Sequence, residues 1–232
     1  MKFHAPLIKG TLIKRYKRFM ADVSLEDGTE ITAHCANPGS MLGLKEPGST
    51  VWLSPAANPK RKLKYSWELI EADGGLVGIH TGHPNRITEE AIEAQQIPEL
   101  TGYASMRREV KYGKNSRIDI LLQNDARRDC YVEVKNVHLY RGNGAEFPDS
   151  VTARGAKHLQ ELGDMVDAGH RAVMFYLVQR MDCDRFSIAS DIDPAYDSAL
   201  KEAVARGVEV LCYACTLSTD EIVVDRPLAV AI

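Results

Sequence analysis

The pattern of the chain changes at Gly82-His83-Pro84-Asn85, and that change limits the folds open to it. Before it, short runs rich in β-formers (LIKGTLIK, FMADVSL, TEITAHC, STVWLS, YSWELIEA) alternate with turn signals. The turns fall at Glu26-Asp27-Gly28, Asn37-Pro38-Gly39-Ser40, Glu46-Pro47-Gly48 and Asn58-Pro59. Asp27-Gly28 between two alternating runs is a hairpin signal, because tight hairpin turns need residues that tolerate positive φ. About five short strands in so short a stretch suit a small closed barrel. An OB-type barrel fits, and strand count alone leaves an SH3-like barrel open.

After the boundary, helical and extended patterns alternate. Thr88-Glu89-Glu90-Ala91-Ile92-Glu93-Ala94 predicts a helix with Thr88 as its N-cap and an acidic first turn. Strand-like runs follow at 106–112, 117–122 and 130–137, then a helix over 150–167 closed by Gly169, then a buried strand over 172–178. The order over 86–178 is therefore α-β-β-β-α-β. Asp193-Pro194 supplies a cap and a first-turn proline for a helix through Arg206, stopped by Gly207, and a last strand covers 208–216. The expectation is an α/β (α+β) chain of two domains: a barrel over 1–82, and a mixed-sheet domain over 83–232.

No apolar run approaches the roughly 18–20 residues of a membrane span. The basic N-terminal stretch is interrupted by Lys9, Lys14 and Arg15 and lacks the apolar core of a signal peptide. A cytoplasmic protein without a membrane partner is expected. The 5 cysteines, an odd number, read as reduced thiols. Cys212 and Cys215 form a C-x-x-C inside the strand-like VEVLCYACTL, whereas redox chemistry there wants a helix N-terminus, so buried structural thiols are expected. The net charge of −3 hides an uneven spread: residues 1–82 carry 11 Lys and Arg against 8 Asp and Glu, and residues 181–232 carry 4 against 10. Local charge decides where a polyanion can dock.

The segment SRIDILLQNDARRDCYVEVKNV carries the chemistry. Asp119 lies in one apolar strand, and Glu133 and Lys135 lie in another, two apart and so on one face. A hairpin through a turn at 123–129 brings Asp119 beside Glu133. Unpaired ions on strands that want burial cost several kcal/mol each, roughly, so a purely structural sequence avoids them. Two carboxylates can hold Mg²⁺ or Mn²⁺. The lysine can orient a water and offset charge on a phosphate in reaction. Asp119, Glu133 and Lys135 are the expected catalytic residues, with Asp119 and Glu133 as metal ligands. Glu109 is either a third ligand or the partner of a neighbouring arginine. Arg117, on Asp119's face, either contacts phosphate or neutralises the carboxylates. Arg154, Lys157, His158 and Glu161 share one helix face that looks either at the site or at solvent. His34, His80 and His83 show no metal-ligand spacing and read as structural.

Asp119…Glu133-x-Lys135 resembles the D…(D/E)-x-K motif of the restriction-endonuclease-like nucleases, and α-β-β-β-α-β is the core of that superfamily. Over essentially its whole length the chain resembles the bacterial and archaeal sugar fermentation stimulation protein family. The matching segments are Asn37-Pro38-Gly39-Ser40-Met41, Arg108-Glu109-Val110, Ser116-Arg117-Ile118-Asp119, Tyr131-Val132-Glu133-Val134-Lys135-Asn136-Val137 and Arg154-Gly155-Ala156-Lys157-His158-Leu159. The resemblance implies an OB-type N-terminal domain, a nuclease-like C-terminal domain, non-specific DNA binding and a link to sugar (maltose) metabolism.

Two clusters in the barrel interleave cations with aromatics: Lys14-Arg15-Tyr16-Lys17-Arg18-Phe19 and Lys60-Arg61-Lys62-Leu63-Lys64-Tyr65. Cations suit phosphates and aromatics suit bases. The expected nucleic-acid contacts are Lys14, Arg15, Lys17, Arg18, Lys60, Arg61, Lys62, Lys64, Arg117, Arg154, Lys157 and His158. The leading expectation is a non-specific DNA-binding protein with a nuclease-like metal site. An active Mg²⁺-dependent nuclease on DNA or RNA is the alternative, and a small-ligand-binding metabolic protein the second alternative. Sequence-specific repression lacks a helix-turn-helix to carry it. A homodimer is expected only by analogy with other nucleases of this core.

Overall fold

The structure, a computed structural model, describes residues 1–113, 116–142 and 144–232. The first part holds six strands: β1 (Ile8–Tyr16), β2 (Met20–Leu25), β3 (Glu30–Cys35), β4 (Thr50–Pro55), β5 (Tyr65–Ala72) and β6 (Gly75–Gly78). They run β3-β2-β1-β4-β5-β6, and β3 also pairs in parallel with β5 at His34↔Ser66 and Cys35↔Trp67. That last pairing closes β1–β5 into a barrel. Alternation fills it: Leu12, Ala21, Val23, Ala33, Cys35, Val51, Leu53 and Trp67 point inward, plugged by Met41 and Leu44. Gly28 has φ 85 in the β2–β3 turn, as the hairpin signal requires. At Gly10 a Cβ would lie 2.5 Å from Val23 Cγ1, so only glycine lets β1 cross β2 this closely.

The second part begins with α1 (Pro84–Glu93). The cap predicted at Thr88 is wrong. Pro84 supplies the fixed φ of a first-turn residue, so the helix starts there. Thr88 is fully buried in the helix middle. The other elements are β7 (Ser105–Tyr112), β8 (Ser116–Asn124), β9 (Arg127–Val137), β10 (Leu139–Arg141), β11 (Gly144–Phe147), α2 (Ala153–Asp167), β12 (Arg171–Val178), β13 (Arg185–Ile188), α3 (Pro194–Ala205), β14 (Glu209–Leu217), β15 (Ile222–Pro227) and β16 (Ala229–Ala231). The main sheet is β15-β14-β12-β9-β8-β7, with β12 parallel to β9 and β14 and the other pairs antiparallel. It is the expected mixed sheet.

A second sheet, β10-β11-β13-β16, was not expected. Its strands are 3 or 4 residues long, too short to show an alternating pattern. The chain also continues through β15 and β16 beyond the strand expected to be its last.

The main sheet is covered on both faces. Ile87 and Ala91 of α1 pack with Ile120, Val132 and Phe175. Leu159 and Leu162 of α2 and Leu200 of α3 pack with Met174 and Tyr176. Burial on both faces explains why β12 is apolar without alternation. The five cysteines are free and buried. Among the described residues no helix is long and apolar enough to cross a membrane.

Several contacts join the barrel to the second part. Arg180, 1% exposed, pairs with Asp73 and Asp182, both at 2.7 Å. The Gly78 amide donates to the Gln179 carbonyl. The 37–41 turn docks on Asp149, whose carboxylate accepts from the Met41 amide and whose carbonyl accepts from the Ser40 hydroxyl.

Asp193 caps α3 through the Tyr196 amide at 3.0 Å and also accepts from the Thr152 amide, at the start of α2, at 2.7 Å. Asp193→Ala therefore frees amides at two helix starts. We expect a loss of about 2 kcal/mol, read as a lower urea midpoint at unchanged slope. An unchanged midpoint would refute the double-cap role.

Candidate active site

The site lies where the main sheet splits. β8 and β9 pair from Asn124↔Arg127 up to Ile120↔Val132 and no further. At Asp119 the side chain replaces the ladder. Its Oδ2 accepts the Val134 amide at 2.8 Å, and its Oδ1 accepts the Asn85 side-chain amide from α1 at 2.8 Å. The turn expected over 123–129 contracts to Asp125-Ala126, because both strands extend into it.

Glu133 is 2% exposed on β9. Its Oε1 accepts from Lys135 Nζ at 2.6 Å and from His158 Nδ1 on α2. Its Oε2 is buried and has no hydrogen-bond partner among the described residues. Arg154 Nε donates to His158 Nε2 at 3.3 Å. This network assigns the His158 proton to Nδ1, facing Glu133. Lys157 reaches Ser116 Oγ at 3.3 Å and Glu161 at 3.6 Å. The polar stripe of α2 therefore faces the site at His158 and Glu161, both buried, while Arg154 and Lys157 sit at its exposed margin.

The two carboxylates are pushed in opposite directions. Burial raises the Asp119 carboxyl, and Glu133 beside it raises it further. Burial also works to raise Glu133, but Lys135 and His158 outweigh it and hold Glu133 below the ordinary range. Tyr112 of β7 belongs to the same group. Its hydroxyl is buried without a partner, and burial followed by Glu133, Glu161 and Asp119 drives its pKa up. Asn85 and Tyr112 were not among the expected site residues. Each is one ordinary residue in an element whose placement only the fold reveals.

Glu109 is exposed with φ 49, between the β7–β8 pairs Arg108↔Ile120 and Val110↔Ile118. Neighbouring Arg108 turns instead to Glu89 of α1 at 2.6 Å. Arg117 is exposed on β8, two residues from Asp119. Among the described residues, one cluster of three metal-ligating side chains has donor atoms within 4.8 Å of one another, and it is Glu68, His80 and His83. Spacing alone did not bring out this proximity of His80 and His83 to Glu68. The signal was hidden because Glu68 reaches the two histidines only through the β5–β6 hairpin.

In the barrel the two basic clusters occupy the β1–β2 turn and the β4–β5 loop, the loops with which OB barrels bind oligonucleotides. Lys17 and Arg18 are exposed at φ 47 and 62. Phe19, 45% exposed, stacks on His34 at 6.4 Å. Burial and then the Arg61 charge hold His34 below its ordinary pKa, so the second loop meets the first at His34. Lys60, Lys62 and Lys64 are exposed, while Arg61 donates to Ser66 Oγ. Lys14 pairs with Asp22 at 3.5 Å. Arg15 is committed to the fold: its guanidinium donates to the Asn37 and Gly39 carbonyls at 2.8 and 2.9 Å.

A closed five-stranded barrel followed by a mixed sheet with this split defines a protein with an OB domain and a mixed α/β C-terminal domain. The family model "SfsA N-terminal OB domain" matches residues 13–79, and "Sugar fermentation stimulation protein RE domain" matches residues 82–221. The chain belongs to the sugar fermentation stimulation protein (SfsA) family. It is 63% identical to a sugar fermentation stimulation protein homolog of Paramagnetospirillum magneticum over 98% of this chain and 97% of the relative. It is also 63% identical to a homolog of Rhodospirillum centenum, over 98% of each chain. The structure of Pyrococcus furiosus SfsA in complex with Ca²⁺ superposes with a TM-score of 0.90 at 28% identity, covering 100% of this chain and 98% of that one.

The opposed shifts predict opposed stability effects in EDTA. A raised folded pKa at Asp119 means that stability is present below the unfolded value and is lost as pH rises through the folded one. Asp119→Asn should therefore melt higher than wild type at pH 7. Glu133, depressed, contributes stability above its unfolded value that is lost as pH falls through the folded one. Glu133→Gln should melt lower at pH 7, with the gap closing in acid. Thermal melts of the three proteins across pH check both signs, and a lower melting point for Asp119→Asn at pH 7 would reverse the first.

Proposed function

We propose that this protein binds DNA without sequence preference and hydrolyses phosphodiesters at the Asp119–Glu133 site with Mg²⁺ or Mn²⁺. One observation carries the reading: Glu133 has one oxygen held by Lys135 and His158 and the other buried without a partner among the described residues, beside Asp119. A buried carboxylate oxygen with no donor suits a cation. The donors are oxygens, which suit a hard divalent ion. The Ca²⁺ held by the Pyrococcus furiosus relative supports the same class of ligand.

Asp119 and Glu133 would hold the ion, which when bound supplies a Lewis acid and a water of lowered pKa. The chain's own residues do the rest. Asn85 and the Val134 amide fix Asp119 on both oxygens. His158 and Lys135 fix Glu133, and the Lys135 ammonium offsets charge that develops on the phosphate. Arg117, Arg154 and Lys157, exposed at the margin, take neighbouring phosphates. The barrel loops, with Lys17, Arg18, Lys60, Lys62 and Lys64 around Phe19, hold the strand by backbone charge and stacking. The curated relatives are named for sugar fermentation, and action on nucleic acid is the part this chain would play there.

The test incubates labelled single- and double-stranded DNA and RNA with wild type, Asp119→Ala and Glu133→Ala, in Mg²⁺, Mn²⁺ or EDTA. Cleavage by wild type that disappears in EDTA and falls about 100-fold or more in either variant is expected, with affinity retained. Salt-sensitive binding by all three without cleavage would leave a DNA-binding protein and end the hydrolase reading. For binding itself, neutralising about six phosphates predicts a log–log salt slope near −5 on duplex DNA. Reversing Lys60, Lys62 and Lys64 to glutamate should weaken all sequences alike. A flat salt response, or unchanged affinity in that variant, would remove the loops from the binding surface.

A further inference from the structure

We propose that Glu68, His80 and His83 form a second metal site, for Zn²⁺ or a similar borderline transition ion, separate from the carboxylate pair. The cluster spans the two parts of the molecule. Glu68 comes from β5, His80 from the link after β6, and His83 from the residue before α1. Their donor atoms lie within 4.8 Å of one another. The backbone beneath them is pinned: the Ile79 amide donates to the Glu68 carbonyl at 3.0 Å, and the Thr81 amide to the Ala36 carbonyl at 3.0 Å.

The ligand set is two imidazoles and one carboxylate with a fourth position open, which suits zinc better than magnesium or calcium. Glu68 is 4% exposed. Its Oε1 accepts from the Ser54 hydroxyl at 2.6 Å, the outer hydrogen bond that steadies a ligating carboxylate. Its Oε2 meets His83 Nε2 at 2.7 Å. Ser54 and His83 thus give each Glu68 oxygen a partner. Among the described residues His80 makes no hydrogen bond to Glu68, yet its ring stacks on His83 at 3.9 Å and 11°. His80 Nδ1 accepts from the Gly82 amide, so this ring carries a lone pair at the cluster.

Two of the contacts that hold these groups without the ion would change on binding: Glu68 to His83, and the Gly82 amide to His80 Nδ1 at 3.1 Å. Zn²⁺ takes the place of the first as the rings turn toward Zn–N distances of about 2.0–2.1 Å. It also ends the second, whichever His80 nitrogen ligates. Coordination through Nδ1 uses the lone pair that Gly82 meets, and coordination through Nε2 moves the proton to Nδ1. The site then fixes the start of α1, which carries Asn85 two residues further on.

The experiment uses the full chain stripped with EDTA, carrying Asp119→Ala and Glu133→Ala so that the other site cannot contribute. Zn²⁺ is titrated by calorimetry. One equivalent is expected, weakened at least about 10-fold when His80→Ala or His83→Ala is added. Wild-type protein supplies a readout free of variants: ¹⁵N NMR should show Zn²⁺ shifting the Gly82 amide and the ring nitrogens of His80 and His83. No uptake by the double variant, uptake unaffected by both histidine changes, or unshifted Gly82 and ring signals would each overturn the site. None of these outcomes depends on cleavage, so the site and the hydrolase reading stand or fall separately.

Discussion

The burial of Glu133 is the constraint to which the second domain answers. A carboxylate removed from water costs several kcal/mol unless it is paired, to order of magnitude. Lys135, two residues along the same face, supplies one partner. The other must come from outside the sheet, and it is His158 of α2. That requirement sets the rotation of α2. His158 and Glu161 turn toward β9, while Leu159 and Leu162 enter the core beside them. A helix whose polar stripe were solvated would strand Glu133. Asp193, which joins the starts of α2 and α3, is part of what holds this rotation.

The same region opens the sheet. The β8–β9 ladder stops at Ile120↔Val132, one step short of Asp119 and Glu133. The Val134 amide then has no strand partner on that side, and Asp119 accepts it. One side chain thus satisfies the orphaned backbone donor and brings a second carboxylate to the first. The 37–41 turn has a related economy. Arg15 holds its carbonyls from within the barrel, and Asp149 receives its amide and hydroxyl from the second domain. The turn is a docking device, and its place in the family resemblance follows from that role.

How much of this was legible in the sequence depended on range. Features carried by neighbouring residues were visible: Asp27-Gly28 as a hairpin turn, Asp193-Pro194 as a helix start, and Glu133 and Lys135 sharing a face. Asp119 beside Glu133 needed only one hairpin. The start of α1 was misplaced because Thr88-Glu89-Glu90 has the composition of a cap, while Pro84, in a stretch taken as the linker, does the work. β10, β11, β13 and β16 were missed because three or four residues carry no period. His80 and His83 were read as structural because their third partner, Glu68, is brought to them by a hairpin. Asn85 and Tyr112 join the site from elements packed against it, and nothing local marks them.

The opposed shifts of Asp119 and Glu133 tie stability to chemistry. Glu133 alone would be a settled ion pair, stabilising in its charged form and with no need of a ligand. Asp119 alone would be a strained acid that prefers its proton. Side by side, they place two carboxylates beside one ammonium, Lys135, with His158 donating to Glu133. A divalent cation would relieve both groups: it would lower the Asp119 carboxyl and fill the side of Glu133 that has no hydrogen-bond partner among the described residues. The fold therefore carries at this split the kind of local cost that other parts of the sheet avoid, in the form that a metal ion would remove.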